Sequence, residues 1–193
     1  MFRSILLASA LAVSAPAFAQ AQMAMPMPAG TAMTATDVGV SPLTGISATD
    51  YVKMAADSDM FEITTGRLAG TKGQSSAVKS FGREMVTDHM GTTKALMAAL
   101  RNADRKIARP SMRMSSDNAA MVTLLRKAPR ANFDNLYLQQ QMTAHQKAWA
   151  LHKGYATEGT DPALRQVAAA AVPIVERHIT HLKSLMPASM TAQ

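Results

Sequence analysis

Four stretches of helical period, two short turns and one long link carrying a shorter helical stretch predict an all-α fold. The turns are marked by Gly73 and by Gly159-Thr160-Asp161-Pro162. The arrangement implied is an up-down four-helix bundle with a short extra helix in the crossover, the layout of ferritin-like bundles with one long connection. No segment alternates apolar and polar residues between turn signals, as a half-buried strand would.

Residues 1–19 read as a secretory signal. Arg3 supplies the positive start, Ile5 to Ala15 the apolar run, and Ala17 and Ala19 the small residues around a cleavage site. The run is too short to span a bilayer comfortably. A bacterial periplasmic or secreted protein is expected, with association at the outer membrane left open. Residues 20–46 have no helical or strand period, and Pro26, Pro28 and Pro42 oppose a regular helix. A flexible leader is expected there. Its Met23, Met25, Met27 and Met33 are spaced closely enough to chelate a soft ion such as Cu(I), or are simply low-complexity sequence.

The bundle domain is expected over 47–187, with a short tail at 188–193. Ser47 caps the first long helix, with Asp50 three residues on, and Lys72 ends it. Ser75 or Ser76 caps the second, expected to reach about Lys106 before Arg109-Pro110. Its apolar stripe runs through Val78, Phe81, Met85, Thr92, Leu96, Ala99 and Ala103. A short helix follows over 116–127. The third long helix is expected over 132–157. The fourth starts with Asp161 as N-cap and Pro162 in the first position and ends at Met186, with Pro173 kinking it inside.

Polar residues on the apolar stripes are the informative ones. Glu62, His89, His145 and His178 each border or sit on a stripe. With the first turn near residue 74, Glu62 lies about twelve residues before it and His89 about fifteen after. At 1.5 Å per residue the offset is roughly 4 to 5 Å. His145 and His178 are related in a similar way across the second turn. Within each hairpin the two can meet, whereas the relative height of the hairpins is open. Four inward groups at mid-height on four helices are how bundle metal sites are built. His181 either flanks the same site or covers the bundle end. His152 reads as structural or exposed, Asp88 as a ligand, a support for a histidine or an exposed acid, and Met85 and Met142 as core packing.

At these residues the chain resembles a family of exported bacterial proteins, the domain of unknown function 4142 family, often labelled as outer-membrane proteins. The resemblance spans about residues 48–185. It rests on Glu62, Gly66, Leu68 and Ala69; on Val78, Lys79, Phe81, Met85-Val86 and Asp88-His89; on Phe133-Asp134, Tyr137, Gln141 and His145; and on Val172-Pro173, His178-Ile179 and Leu182. It implies a ferritin-like helical bundle in the cell envelope and supplies no established activity. A cousin family of Met- and His-rich exported bundles, domain of unknown function 305, has members associated with copper. That keeps copper a candidate by analogy.

Composition narrows the function further. The 193 residues contain no cysteine, which excludes thiolate zinc sites, cysteine nucleophiles and covalent haem attachment. No long apolar run follows the N-terminus, so no membrane-spanning segment is expected in the mature chain. The net charge of +7 is spread without long basic runs, suiting a diffuse attraction to anionic envelope surfaces rather than nucleic acid. No nucleophile elbow or phosphate-cradling glycine motif is present, and catalytic residues are not identified. The leading expectation is an envelope protein that binds copper, zinc or iron without catalysis, or one related to stress. The alternative is a structural or interaction protein whose buried polar groups satisfy one another. A di-iron oxidase is the weakest reading, because no Glu-x-x-His pair exists.

Overall fold

In a computed structural model, residues 32–101, 106–111 and 113–187 are described. The expected signal over 1–19, the leader through residue 31 and the tail from 188 lie outside them. Six helices run in order: α1 (Ala35–Val38), α2 (Ala48–Lys72), α3 (Ser76–Ala99), α4 (Ser116–Lys127), α5 (Arg130–Glu158) and α6 (Pro162–Leu185). No strand occurs among the described residues.

Three of the helix starts anticipated from the sequence are capped as expected, whereas α5 opens at Arg130 rather than at Asn132, with Pro129 at its N-cap and no side chain capping it. The Ser47 side chain accepts from the Asp50 amide, Ser75 from Val78, and Asp161 from both Ala163 and Leu164. Each satisfies a backbone donor that the first helical turn leaves without a partner. Helix α6 continues through Pro173. Helix α3, by contrast, ends at Ala99 rather than near Lys106. Leu100 is buried, and Ile107 packs against the same cluster of Leu96, Leu100 and Tyr51. Packing Ile107 partly against that cluster outweighs the local period, which by itself would carry the helix on.

The four long helices form a closed ring in which α2 touches α3 and α5, and α6 touches α3 and α5. Tyr51 meets His152 while Thr65 meets Gln141, so α2 and α5 run in opposite directions. Glu84 meets His181 and Asp88 meets His178, so α3 and α6 also oppose each other. Helix α3 therefore ends at the opposite end of the bundle from the start of α5, and the link between them must travel its length. Helix α4 makes that journey and is held to α2 at both ends. Asp57 accepts from the Ser115 amide and hydroxyl and from Asn118 at the α4 N-terminus. At the other end, Lys72 donates to the Arg126 and Ala128 carbonyls. Both charges have the sign that the α4 dipole favours.

Helices α2 and α3 approach almost backbone to backbone. A Cβ on Gly66 would stand 2.6 Å from the Gly82 carbonyl oxygen, and one on Gly82 would stand 2.7 Å from that of Gly66. The close crossing brings the next residues along α2 within reach of α3. Apolar clusters fill the two ends of the bundle. One contains Tyr51, Val52, Leu96, Leu151, Tyr155 and Leu164, and the other contains Phe81, Met85, Leu125, Phe133, Tyr137 and Leu182. A polar layer separates them.

The expectation of no helix across 20–46 needs correction in its second half. Thr34 and Asp37 form a capping box around α1, which Gly39 ends in the left-handed region at φ 83°. Val38 is buried against Trp149, Val172, Val175 and Ile179, and Met33 packs on the same cluster. The Leu43 amide then donates to the Ala150 carbonyl. This strap crosses α5 at Gly154, where a Cβ would stand 1.8 Å from the Leu43 carbonyl oxygen. Only a glycine permits that approach. Thr34, Asp37 and Gly39 were visible as cap and stop signals. The prolines on either side, however, outweigh so short a segment in any reading of period.

Two predictions come from this architecture. Gly154→Ala should displace the strap, costing about 1–3 kcal/mol in urea unfolding and removing hydrogen-exchange protection at the Leu43 amide. Wild-type protection there would show that the strap does not bear on Gly154. The second concerns His152, buried with its Nδ1 3.1 Å from the Tyr51 hydroxyl. Burial holds its pKa at about 4, below the ordinary 6.5. Between those values the unfolded chain binds a proton that the folded chain does not. Its contribution is therefore complete above about pH 6.5 and lost as pH falls toward 4. His152→Gln should flatten that acid arm by on the order of 3 kcal/mol, read as the difference between variant and wild type in unfolding at pH 4.5 and pH 7.5.

Candidate metal centre

The polar layer is built from residues one or two turns beyond the close α2–α3 crossing and from facing positions on α5 and α6. His89, His145 and His178 are each 3% exposed or less. One ring nitrogen from each lies within 4.8 Å of the others. The three rings, on α3, α5 and α6, stand 5.2 to 5.8 Å apart between centroids.

The outer nitrogens are committed as donors. His145 Nδ1 is 2.9 Å from the Gln141 carbonyl oxygen, which can only accept, so this nitrogen carries the hydrogen. His178 Nε2 donates to Asp88 at 2.9 Å, and His89 Nδ1 to Asp59 at 2.9 Å. Fixing the outer nitrogens leaves His145 Nε2, His178 Nδ1 and His89 Nε2 facing inward. The first two are 3.1 Å apart. The third has no hydrogen-bond partner at all. Burial, with the neighbouring imidazoles, pushes His145 well below its ordinary pKa. Burial likewise lowers His178 to about 4, against the pull of Asp88. With both rings neutral, two lone pairs point at each other across 3.1 Å. That arrangement is repulsive unless a proton or a cation sits between them.

Carboxylates surround the three rings. Asp59 also accepts from the Thr92 and Thr93 hydroxyls at 2.8 Å each, so both its oxygens have partners. Burial lowers the His89 pKa, but the Asp59 hydrogen bond and the charges of Glu62, Asp59 and Asp88 raise it by more. Glu62 lies beside the group without joining it. Its Oε1 is 3.6 Å from His145 Nδ1, and its buried Oε2 has no hydrogen-bond partner. Burial raises its pKa to about 7, against the pull of His89 and Gln141.

Of the four residues singled out in the sequence, the structure brings His89, His145 and His178 together, with Glu62 alongside. Asp88 supports His178, and Met85 is fully buried core. His152 is buried away from the inward nitrogens with Tyr51, and His181 pairs with Glu84 nearer the surface. Met33 serves packing, while Met23, Met25 and Met27 lie outside the described residues. Sequence reasoning missed Asp59. The signal was present, since Val52, Ala55, Asp59, Glu62, Gly66 and Ala69 recur at three- and four-residue steps on one face of α2.

Fold and site define an all-helical bundle with a buried cluster of three imidazoles across three of its long helices. The model of the family described as Domain of unknown function (DUF4142) matches residues 30–185. The chain belongs to that family. Its match begins just ahead of α1, so the strap is part of the family's domain. No curated protein and no solved structure matches the chain.

Because Glu62 titrates near 7 in the fold and near 4.5 when free, the folded state holds an extra proton between those values. Its ionisation costs stability as pH rises through that window. In chelator-treated protein, Glu62→Gln should gain on the order of 2–3 kcal/mol over wild type at pH 8. The gain should fade toward pH 4. A difference independent of pH would show that Glu62 is not buried as described.

Proposed function

We propose that this protein binds one divalent transition-metal ion, without catalysis, at His89, His145 and His178. The single observation that carries the reading is the set of three inward nitrogens whose tautomers are fixed from outside. Metal-binding histidines are commonly oriented in this way by a carboxylate or carbonyl on the far nitrogen. Spacing supports it too. With metal–nitrogen bonds of about 2.0–2.1 Å in a tetrahedron, ligand nitrogens stand roughly 3.3 Å apart, close to the 3.1 Å between His145 and His178.

Charge favours a divalent ion. Three neutral imidazoles leave both positive charges uncompensated, and Asp59, Asp88 and Glu62 stand around them. Glu62, with one oxygen unmatched, is the side chain that would turn toward the ion or balance its charge. Zinc, copper, nickel and iron all accept such a donor set. A carboxylate-bridged di-iron oxidase fits poorly, because that chemistry wants glutamates on all four helices. With every ligand at 3% exposure or less, a bound ion would be shielded from any larger substrate, favouring storage, buffering or sensing over turnover. Export to the bacterial envelope is part of this reading and rests on the signal-like residues 1–19. The second reading is a metal-free cluster in which one proton joins His145 to His178, as their hydrogen-bond distance permits.

The test is the metal content of untagged protein from the periplasm, repeated after loading separately with Zn(II), Cu(II) and Fe(II). One ion per chain is expected, lost in His89→Ala and in His145→Ala while circular dichroism stays helical. Affinity should weaken by at least tenfold from pH 7.5 to 5.5, because the ion must displace protons from His89 and Glu62. No metal under any loading would leave the proton-bridged cluster. Metal retained in both variants would move the site elsewhere, the methionines of the leader first.

A further inference from the structure

The three ligands differ in where their outer nitrogens lead. His145 Nδ1 ends on a backbone carbonyl of its own helix, and His89 Nδ1 on Asp59, whose side chain is 6% exposed. Asp59 is in turn held by the half-buried Thr92 and Thr93, whereas His178 leads outward in a single step. Its Nε2 is 2.9 Å from Asp88 and 4.0 Å from Glu84, whose side chains are 25% and 29% exposed. Donor atoms of Glu84, Asp88 and His178 lie within 4.8 Å of one another. His181 Nδ1 bonds the far oxygen of Glu84 at 2.9 Å. This is the shortest polar connection between solvent and the buried imidazoles that the ligands' own bonds trace.

The same carboxylates are already compensated. Arg177, 43% exposed, places Nη2 2.6 Å from Asp88 and Nε 3.9 Å from Glu84. A guanidinium seated on both acids opposes a resident second cation. Its exposure, however, leaves the long side chain free to swing into water, where solvent competes for the guanidinium and weakens the pairing. Removing it uncovers two carboxylates beside the one ligand that faces both ways.

Resting on the metal-binding reading above, we propose that Glu84, Asp88 and His181 form the port through which a divalent transition-metal ion reaches His178 and the buried site, with Arg177 as its latch. With the latch closed, the guanidinium occupies the acids and repels an incoming cation. With it open, Glu84 and Asp88 capture the ion. Asp88 then releases His178 Nε2, and the His178 ring is free to turn and pass the ion inward. The port governs how fast the ion enters and leaves. The buried imidazoles govern how tightly it is held.

The test is the rate of Co(II) uptake by the full chain, followed through the visible absorption of the nitrogen-bound ion, and the rate of its release to excess chelator. Arg177→Ala should speed both at least fivefold, while their ratio, the Kd, changes far less. Glu84→Gln, which weakens capture, should slow uptake at least threefold. Arg165→Ala, an exposed charge loss elsewhere on α6, should leave the rates within twofold and so separates the latch from a general change in net charge. The port stands only if the Arg177 and Glu84 variants move uptake in these opposite directions, because a merely structural role would shift both the same way or neither. Any other pattern in a protein that binds Co(II) overturns the port alone. A wild-type chain that takes up no Co(II) overturns the metal site and the port together.

Discussion

A bundle interior tolerates an ionisable side chain only when something inside it answers the charge or the lone pair. Here five such side chains, Asp59, Glu62, His89, His145 and His178, are buried at mid-height. Most of their polar atoms are answered with care. Asp59 takes three donors, His145 borrows a carbonyl from its own helix, and His178 reaches a surface carboxylate. An unmatched buried polar group costs about 1–3 kcal/mol, so the atoms of these five side chains that remain unanswered need a reason. They are His89 Nε2, Glu62 Oε2 and the facing nitrogens of His145 and His178. The three nitrogens border one small volume, and Glu62 lies beside it.

The rest of the molecule holds that volume fixed. Apolar clusters close the bundle above and below it, and the Gly66–Gly82 crossing draws α2 against α3 so that Asp59 can meet His89. The opposed directions of α3 and α6 set Asp88 against His178. The strap over α5 and the crossover helix α4 serve the same end from outside. Each is pinned by backbone or charged contacts to the long helices rather than to the polar layer. The layer is thus free of any loop, and its imidazoles stand on the long helices. Such placement suits the metal site proposed above, where spacing matters.

Burial also divides the ionisable groups by role. His152 is buried too, yet it has a hydroxyl partner in Tyr51 and lies beside an apolar cluster, so it is satisfied without an ion. His181 sits in the open with Glu84. Histidine type and count alone do not distinguish these cases. What distinguishes them is whether the nitrogen facing inward has already been given a partner.

By itself the sequence determined the helices, their caps, the two short hairpins and the long link, because period and capping are local properties written in residues three and four apart. It also placed Glu62 near the height of His89, and His145 near that of His178, since a short turn ties the two arms of a hairpin together. It marked α2's inner face well enough to have included Asp59, which lies on the same three- and four-residue steps as Glu62. Only the tertiary structure decided how high one hairpin sits against the other, and so that three histidines from two hairpins converge while Glu62 stands aside. The physical reason is the long crossover. A link of that length fixes no register between α3 and α5, which side-chain packing and the pairing of Asp88 with His178 and Thr65 with Gln141 must set across the bundle. The strap was hidden for a related reason. A single turn of helix has almost no period of its own, and its position comes from Val38 burying against α5 and α6 and from the missing side chain at Gly154.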